Sequence, residues 1–459
     1  MIDRKIETQL RQFLQNDHRA LLITGARQTG KTFSIRRVGK ELFPKFVEIN
    51  FYEQRDASAL FANVRNAKDL LFRLSAFTHI DLVPGQTLIF FDEVQACPEV
   101  VTMIKFLVDE GSYRYVLSGS LLGVALKSIR SVPVGYMDVM NMYPLDLEEF
   151  ALSVGVGPHI IDNIRECFRR KCPVDDFVHK RMLELVQLYL LVGGMPAAVQ
   201  RYLDTNNLRS VLEVQQSIIR LYKMDISQYD QDRKLQICEI YDLIPSELDD
   251  KNKRFILKDF AVNNRFKRYE ASFLWLADAG VAIPAYCLTA PKFPLELSRS
   301  ANLFKLFSID VGLLASQYGG DFQLRFLNGE VCINYGSVFE NLTAQELHAH
   351  GFGRGEEGHL YFFNSKKKGE LDFVIELNGA ALPLEIKSGK DYHRHNALDN
   401  ALKTQDWGIR EAFVFCQDNV RVVQQGEGTV VYLPIYMLMC MEQPSGQDSV
   451  FQFDLTGLQ

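Results

Sequence analysis

"ALLITGARQTGKTFSIRRVGKEL" (residues 20–42) passes from an apolar run, Leu21 to Thr24, through GxxxxGKT at Gly25–Thr32 into a helical stretch. Strand, glycine-punctuated loop and helix in that order predict a phosphate cradle, in which backbone N–H groups and the helix N-terminus face an anion. The backbone of Gly25, Ala26, Arg27, Gln28, Thr29 and Gly30 would wrap the phosphates of ATP. Lys31 would reach its β and γ phosphates, and Thr32 would ligate Mg²⁺. Working outward, "TLIFFDEVQACPEV" (87–100) reads as a buried parallel strand whose carboxyl end carries Asp92 and Glu93. A carboxylate there lies beside the phosphate loop, so Asp92 is expected in the Mg²⁺ shell and Glu93 as the group that orients or deprotonates water. "YRYVLSGS" (113–120) ends in hydroxyls. Ser120 is the first choice for sensing the γ-phosphate, although Ser and Gly after a strand also make ordinary turns. Arg130 in "KSIRSVPVG" is a candidate for stabilising phosphoryl charge in a neighbouring subunit, with a solvated arginine as the plainer reading. The order of these segments predicts a parallel sheet with helices on both faces, residues 1–155.

The whole chain has 459 residues, 47% hydrophobic and 24% charged, with a formal charge of -6. Such values predict several folded units without long disorder, and no global electrostatic footprint for nucleic acid. Eight scattered cysteines without paired CxxC spacing argue against a zinc site or a disulfide framework. With no basic-then-apolar leader and no bilayer-length apolar run, the expected location is the cytoplasm, without membrane attachment.

Residues 156–225 turn helical. "HKRMLELVQLYLLVGGMPAAVQRYL" breaks at Gly193, Gly194 and Pro196, as a lid over a nucleotide site or a plain helix–helix corner would. Residues 226–325 read as short helices and then "VAIPAYCL", a pattern that suggests a winged helix-turn-helix. Lys251, Lys253, Arg254, Lys258, Arg265, Lys267 and Arg268 crowd there. They form either a phosphate-backbone contact or a solvated face.

In residues 326–459 the run "GELDFVIELNGAALPLEIKSGK" (369–390) contains Asn378-Gly379, the strongest short-range hairpin signal. Counting outward from that turn sets Asp372 opposite Glu385 and Glu370 opposite Lys387. The Asp372–Glu385 pair is of the closer, non-hydrogen-bonded kind, with Cα atoms about 4.5 Å apart. Two carboxylates at that distance call for a cation, and a divalent metal (Mg²⁺ or Mn²⁺) would supply it. Lys387 on the same face would polarise water or a scissile phosphate. Glu340, in a helical stretch, is a further metal ligand, and Lys366, Lys367 and Lys368 are backbone contacts. A mixed-charge solvated strand gives the same pattern. Pro383 is tolerable toward this partner but cannot donate on its other side. His348, His350, His393 and His395 are left outside the site.

Together, "LLITGARQTGKT", "LIFFDEVQ", "YPLDLEEF", "LVGGMPAAV", "YEASFLWLADAG", "FKLFSIDVGLL", "GSVFENLTAQEL", "GELDFVIEL" and "PLEIKSG" resemble prokaryotic AAA-type ATPases fused to a C-terminal domain similar to the PD-(D/E)xK restriction-endonuclease fold. The resemblance implies an α/β architecture: a P-loop AAA-type doubly wound parallel sheet with a helical lid, a winged-helix middle domain, and a restriction-endonuclease-like α/β domain. It places the nuclease-like acid–acid–Lys residues on Asp372, Glu385 and Lys387, with Glu340 as the helical acid. Related sequences often read Gly-Arg where this chain has Gly135-Tyr136, which leaves Arg130 as the substitute arginine finger. The expectation is an Mg²⁺-dependent ATPase that controls or drives a metal-dependent DNA nuclease in the same chain. The alternative is an ATP-dependent switch whose nuclease-like domain binds DNA or protein without cutting. Nucleic acid is the expected partner through the winged-helix and C-terminal domains, and a homo-oligomer fits either reading.

Overall fold

The computed structural model describes residues 2–120, 135–229, 233–249, 255–256, 266–319, 335–353, 359–389 and 391–443. Strand β1 (Ala20–Thr24) is buried but for its last residue, and β3 (Thr87–Asp92) is buried throughout. Apolar on both faces, they take the middle of a five-stranded parallel sheet with β2 (Lys45–Asn50), β4 (Arg114–Ser118) and β5 (Met137–Asn141), in the order β2-β3-β4-β1-β5. Helices α1 (Lys5–Asn16) and α2 (Lys31–Leu42) cover one face. Helices α3 (Ala67–Thr78) and α4 (Glu99–Glu110) cover the other. The order brings the carboxyl ends of β1, β3 and β4 side by side, as a nucleotide site on a doubly wound sheet requires.

"YPLDLEEF" is where the rest of the molecule attaches. Asp146 caps α5 (Leu147–Ser153) in a reciprocal box with Glu149. Arg4 Nε donates to Glu149 at 3.1 Å and Lys5 Nζ to Asp146 at 2.7 Å, pinning the N-terminal segment. Beyond it run α6 (Pro158–Arg170), α7 (Asp176–Val192), α8 (Pro196–Thr205), α9 (Leu208–Tyr229), α10 (Lys234–Asp249) and α11 (Phe266–Asp278). The break at Gly193-Gly194 is a junction. Leu145 N donates to Gly194 O at 2.7 Å, and Gly194 N donates at 2.6 Å to Asp310, which also caps α12 (Val311–Gln317). Burial pushes the Asp310 carboxyl up to about 6, against the N–H groups that hold it.

The hairpin expected as a wing is part of a larger sheet. Strand β7 (Ala282–Leu288) pairs antiparallel with β8 (Arg299–Ser308), and β8 with the short β6 (Phe255–Ile256). On its other edge β7 pairs parallel with β9 (Leu360–Ser365), so the segments either side of residue 325 share one sheet of nine strands. The reason lies in β7, which is largely buried and cannot stand in a two-stranded wing open to water. The sheet continues through β10 (Gly369–Leu377), β11 (Ala380–Ile386), β12 (Glu411–Cys416), β14 (Gly428–Pro434) and β13 (Arg421–Gln425), in that spatial order. Helices α13 (Tyr335–Ala349) and α14 (Asn396–Lys403) pack on it. The hairpin register follows the Asn-Gly turn, with Leu377 opposite Ala380 and Phe373 opposite Leu384. Pro383 precedes the first β11–β12 pair, Leu384 with Phe413, so its missing N–H interrupts no ladder there.

One core joins the helical segment to this sheet, from Ala26 to Met441. No single helix among the described residues is long and apolar enough to cross a membrane, and the bent pair α7–α8 that together has the length buries Tyr189, Leu190, Leu191 and Val192 in this core. Phe307 of β8 is fully buried, its ring 5.4 Å from that of Phe373 in β10. Phe307→Ala is therefore expected to cost about 3–5 kcal/mol. The check is the urea midpoint followed through Trp275 and Trp407; a change under 1 kcal/mol would argue against a shared β8–β10 core.

Candidate functional site

Gly25 closes the loop at a place no side chain can occupy: its φ is 141°, and a Cβ there would lie 2.1 Å from Met142 O. At the other end Gly30, with φ 97°, caps α2 without a side-chain hydrogen bond. The first-turn N–H groups of that helix are thereby left for an anion. The loop's carbonyls are held from behind. Arg4 Nη1 donates to Thr29 O at 2.9 Å, and Tyr222 of α9 donates through its hydroxyl to Arg27 O at 3.1 Å. Lys31 Nζ donates to Gly25 O at 3.0 Å and Ala26 O at 2.7 Å. Burial draws the Lys31 amine down to about 8, while the carboxylates of Glu93 and Asp92 pull the other way. A lysine in that state gains from a bound polyanion.

Asp92, at the end of β3, gathers three side-chain donors besides the N–H of Glu93. Thr32 Oγ1 approaches at 3.0 Å, Asn50 Nδ2 at 3.0 Å, and the Ser118 hydroxyl also donates to it. Burial pushes the Asp92 carboxyl up, and the Ser118 hydrogen bond opposes this. Asn50 was not singled out in the sequence, although a polar residue ending the apolar-alternating "FVEIN" is the signal for it. Glu93 follows with φ 57°, a left-handed backbone that is costly for a glutamate and is held by the short helical turn Val94–Ala96. Its carboxylate accepts from Gln95 Nε2, and Ser120 Oγ lies 3.4 Å from it. Ser120 is therefore placed next to Glu93, and buried. Arg130 lies outside the described residues, as do Lys251, Lys253, Arg254, Lys258 and Arg265; the side chains of Lys267 and Arg268 are likewise not described.

A cleft of about 740 Å³ opens over Arg27, Gln28, Lys31, Thr32 and Glu93. The glycine cradle, the buried amine and the Thr32–Asp92 pair fit ATP with Mg²⁺: the loop and Lys31 would hold the phosphates, and Thr32 with Asp92 the hard cation.

The C-terminal acids are organised differently. One step beyond the Phe373–Leu384 pair stand Asp372 and Glu385, where β10 carries one more residue than β9 between Leu371 and Val374. Such a bulge re-aims side chains. Asp372 Oδ2 accepts from Ile386 N at 2.8 Å. Glu385 is paired with Lys387 at 2.7 Å; burial pushes its carboxyl up, and its Oε2 has no hydrogen-bond partner among the described residues.

The residue missed by sequence reasoning is Lys305 of β8. It is fully buried, with Nζ 2.7 Å from Glu370, 3.6 Å from Glu340 and 4.8 Å over the Phe362 ring. Burial alone would push its amine down, but Glu340, Glu370 and Asp372 outweigh burial and hold it above its usual range. A cation from the protein itself thus compensates these acids. No group of three or more His, Cys, Asp or Glu side chains among the described residues is arranged to hold a metal ion. Nothing in the run around Lys305, "NLFKLFS", distinguishes it from a solvated strand lysine.

The five-stranded parallel sheet and its loop define an AAA-type P-loop domain. Residues 17–151 match the family model described as AAA domain, and the chain carries an AAA-type, ATPase-like domain at its N-terminus. Residues 183–323 and 335–437 match two models described as Domain of unknown function (DUF8612) and Domain of unknown function (DUF4143). No curated protein matches the chain. Among solved structures it is similar to the Walker-type ATPase PABY2304 of Pyrococcus abyssi, at 15% identity and TM-score 0.41, covering 70% of this chain and 96% of that one. It is also similar to the Aeropyrum pernix ORC1 protein in complex with DNA, at 13% identity and TM-score 0.28, covering 71% and 94%. Likeness at this level carries neither partner nor activity across.

Two outcomes follow from the geometry. Because a nucleotide favours the charged amine, its affinity should be level below about pH 8 and weaken above it, approaching tenfold per unit as Lys31 deprotonates in the free protein. Titration of a fluorescent ATP analogue between neutral and alkaline pH reads this, and a flat profile would sink it. Lys305→Met removes the cation from buried Glu340 and partly exposed Glu370, and about 3–5 kcal/mol of stability should be lost at neutral pH. Urea midpoints of the wild type and the variant at neutral pH read this, and a difference under about 1 kcal/mol would argue against it.

Proposed function

We propose that the chain hydrolyses ATP with Mg²⁺ at the Gly25–Thr32 loop, and that this cycle controls a C-terminal domain which engages nucleic acid without cutting it. The observation that carries the proposal is Lys31: a buried amine whose hydrogen-bond partners among the described residues are loop carbonyls, beside Thr32 and Asp92 at the end of a central strand. In this reading Lys31 and the loop N–H groups bind and orient the phosphates. Glu93 takes the proton of an attacking water, and Ser120, close to Glu93, relays the presence of the terminal phosphate. Mg²⁺, when bound, neutralises phosphoryl charge. Several copies acting together, with Arg130 contributed in trans, fit the same cycle.

The non-cleaving form of the C-terminal domain is favoured by Lys305, whose ammonium sits among Glu340, Glu370 and Asp372. Support for a nucleic-acid partner comes from the exposed Lys366 and Lys367, and from Lys368, whose Nζ lies 3.9 Å from the centre of the Trp407 ring. A basic and aromatic face of this kind suits a phosphate backbone with stacked bases. Metal-dependent DNA cleavage is the second reading; it is supported by the hairpin register, in which Asp372 and Glu385 follow the Phe373–Leu384 pair, and by the Glu385–Lys387 contact.

Glu93→Gln should lower phosphate release by about 100-fold or more while nucleotide binding stays. Plasmid and oligonucleotide DNA incubated with ATP and either Mg²⁺ or Mn²⁺ should be shifted in a gel but remain intact. Cutting that vanishes in Glu385→Ala and in Lys387→Ala would install the nuclease reading instead, and a wild-type protein without ATP turnover would remove the first half of the proposal.

A further inference from the structure

The third residue of the phosphate loop is held by a helix outside the AAA-type sheet. Arg27 Nη1 donates to Asp225 of α9, and this is the guanidinium's one partner among the described residues. Asp225 is buried, at 4% exposure, whereas Arg27 lies partly open and lines the cleft over Lys31 and Thr32. One turn earlier on the same helix, Tyr222 donates to the carbonyl of that same Arg27. Helix α9 therefore grips both the backbone and the side chain of one loop residue. It is itself fixed, since Gln215 Nε2 donates to Leu191 O at 2.8 Å and Val192 O at 3.0 Å, at the end of α7. Gly280, just past α11, also comes so close to the loop that a Cβ would lie 3.2 Å from Ala26 N.

A guanidinium has five N–H donors in a planar fork. A carboxylate on one edge leaves the others to face the cleft, and a fork fixed in this way recognises phosphate oxygens at little cost in ordering. Burial pushes the Asp225 carboxyl up, Arg27 opposes this, and the charge of Glu93 also reaches it, which sets Asp225 within the field of the hydrolytic site. A strut serving stability alone would not need its cation at the mouth of the cleft.

We propose that Asp225 is a positioning residue for the ATP site: acting through Arg27, it holds the guanidinium against the bound phosphates, so that α9 registers whether they are present. The inference rests on the ATP reading above. Phosphate oxygens on the remaining donors share the guanidinium's charge with Asp225, and the strength of the Arg27–Asp225 pair therefore differs between empty and filled loops. Through α9 that difference reaches α7 and α12.

Steady-state ATP hydrolysis by the full chain tests this with Arg27→Ala, Asp225→Ala, the double variant and Asp225→Glu. Each single alanine variant should raise KM for ATP about tenfold, with a smaller effect on kcat. The double variant should be no worse than Arg27→Ala, and Asp225→Glu should recover part of the loss. Asp225→Asn, which keeps the side-chain volume, replaces the alanine variant should that one fail to fold. Additive effects on KM, or a lowered melting temperature with KM unchanged, would reduce Asp225 to a strut and overturn the inference. Lys31→Ala separates the two levels. If the wild type turns over ATP, Lys31→Ala does not, and Asp225→Asn matches the wild type, the inference alone falls; if Lys31→Ala also turns over, the ATP site itself has been misplaced.

Discussion

A loop that offers its amide N–H groups to an anion cannot use them to hold itself in shape, so something else must grip its carbonyls. In this chain the grips are side chains from distant places. Arg4 from the N-terminal segment takes Thr29 O, Tyr222 from α9 takes Arg27 O, and Lys31 folds back onto Gly25 and Ala26. Two of these three come from outside the strand–loop–helix unit that the motif describes. The cradle is thus a local sequence feature whose shape is set non-locally, and the attachment of α1 and α9 becomes part of the nucleotide site.

Buried charge sets the character of the two halves in opposite ways. At the phosphate loop an amine is buried with its carboxylates only nearby, and it stands ready for an anion from solution. In the nine-stranded sheet, Lys305 is buried with its carboxylates in contact, and the charge is settled internally. Both arrangements take a cation out of water, at a cost that only partners can offset. Where the partner is absent until a ligand arrives, binding is favoured; where it is already present, the same chemistry makes a structural pin.

The legible parts were those in which chemistry and periodicity sit in one run. The glycines and Lys31 of the loop, the apolar β3 ending in Asp92, and the Asn378-Gly379 turn all carry their own local physics, and the parallel pairing of the first sheet and the hairpin register agree with what they imply. Asn50 and Lys305 were not legible, because a polar residue ending a strand and a lysine within one have many uses, and only the fold decides which neighbours they meet. Asp225 is separated from Arg27 by 198 residues, and no spacing rule spans that distance. The parallel pairing of β7 with β9 was hidden for the same reason: "VAIPAYCL" shows that a strand is apolar, not what lies along its second edge.

That pairing bears on how the gene can be cut. Strands β7 and β9 lie edge to edge although more than seventy residues of chain separate their starts, Ala282 and Leu360. A fragment halted between them leaves the buried edge of β7 bare, an invitation to stick to other chains. A seam for grafting this carboxyl-terminal body onto another ATPase must therefore lie before β6, which pairs with β8, and not between β7 and β9. Any natural shuffling of such modules that kept a working sheet would have had to carry the hairpin along as cargo.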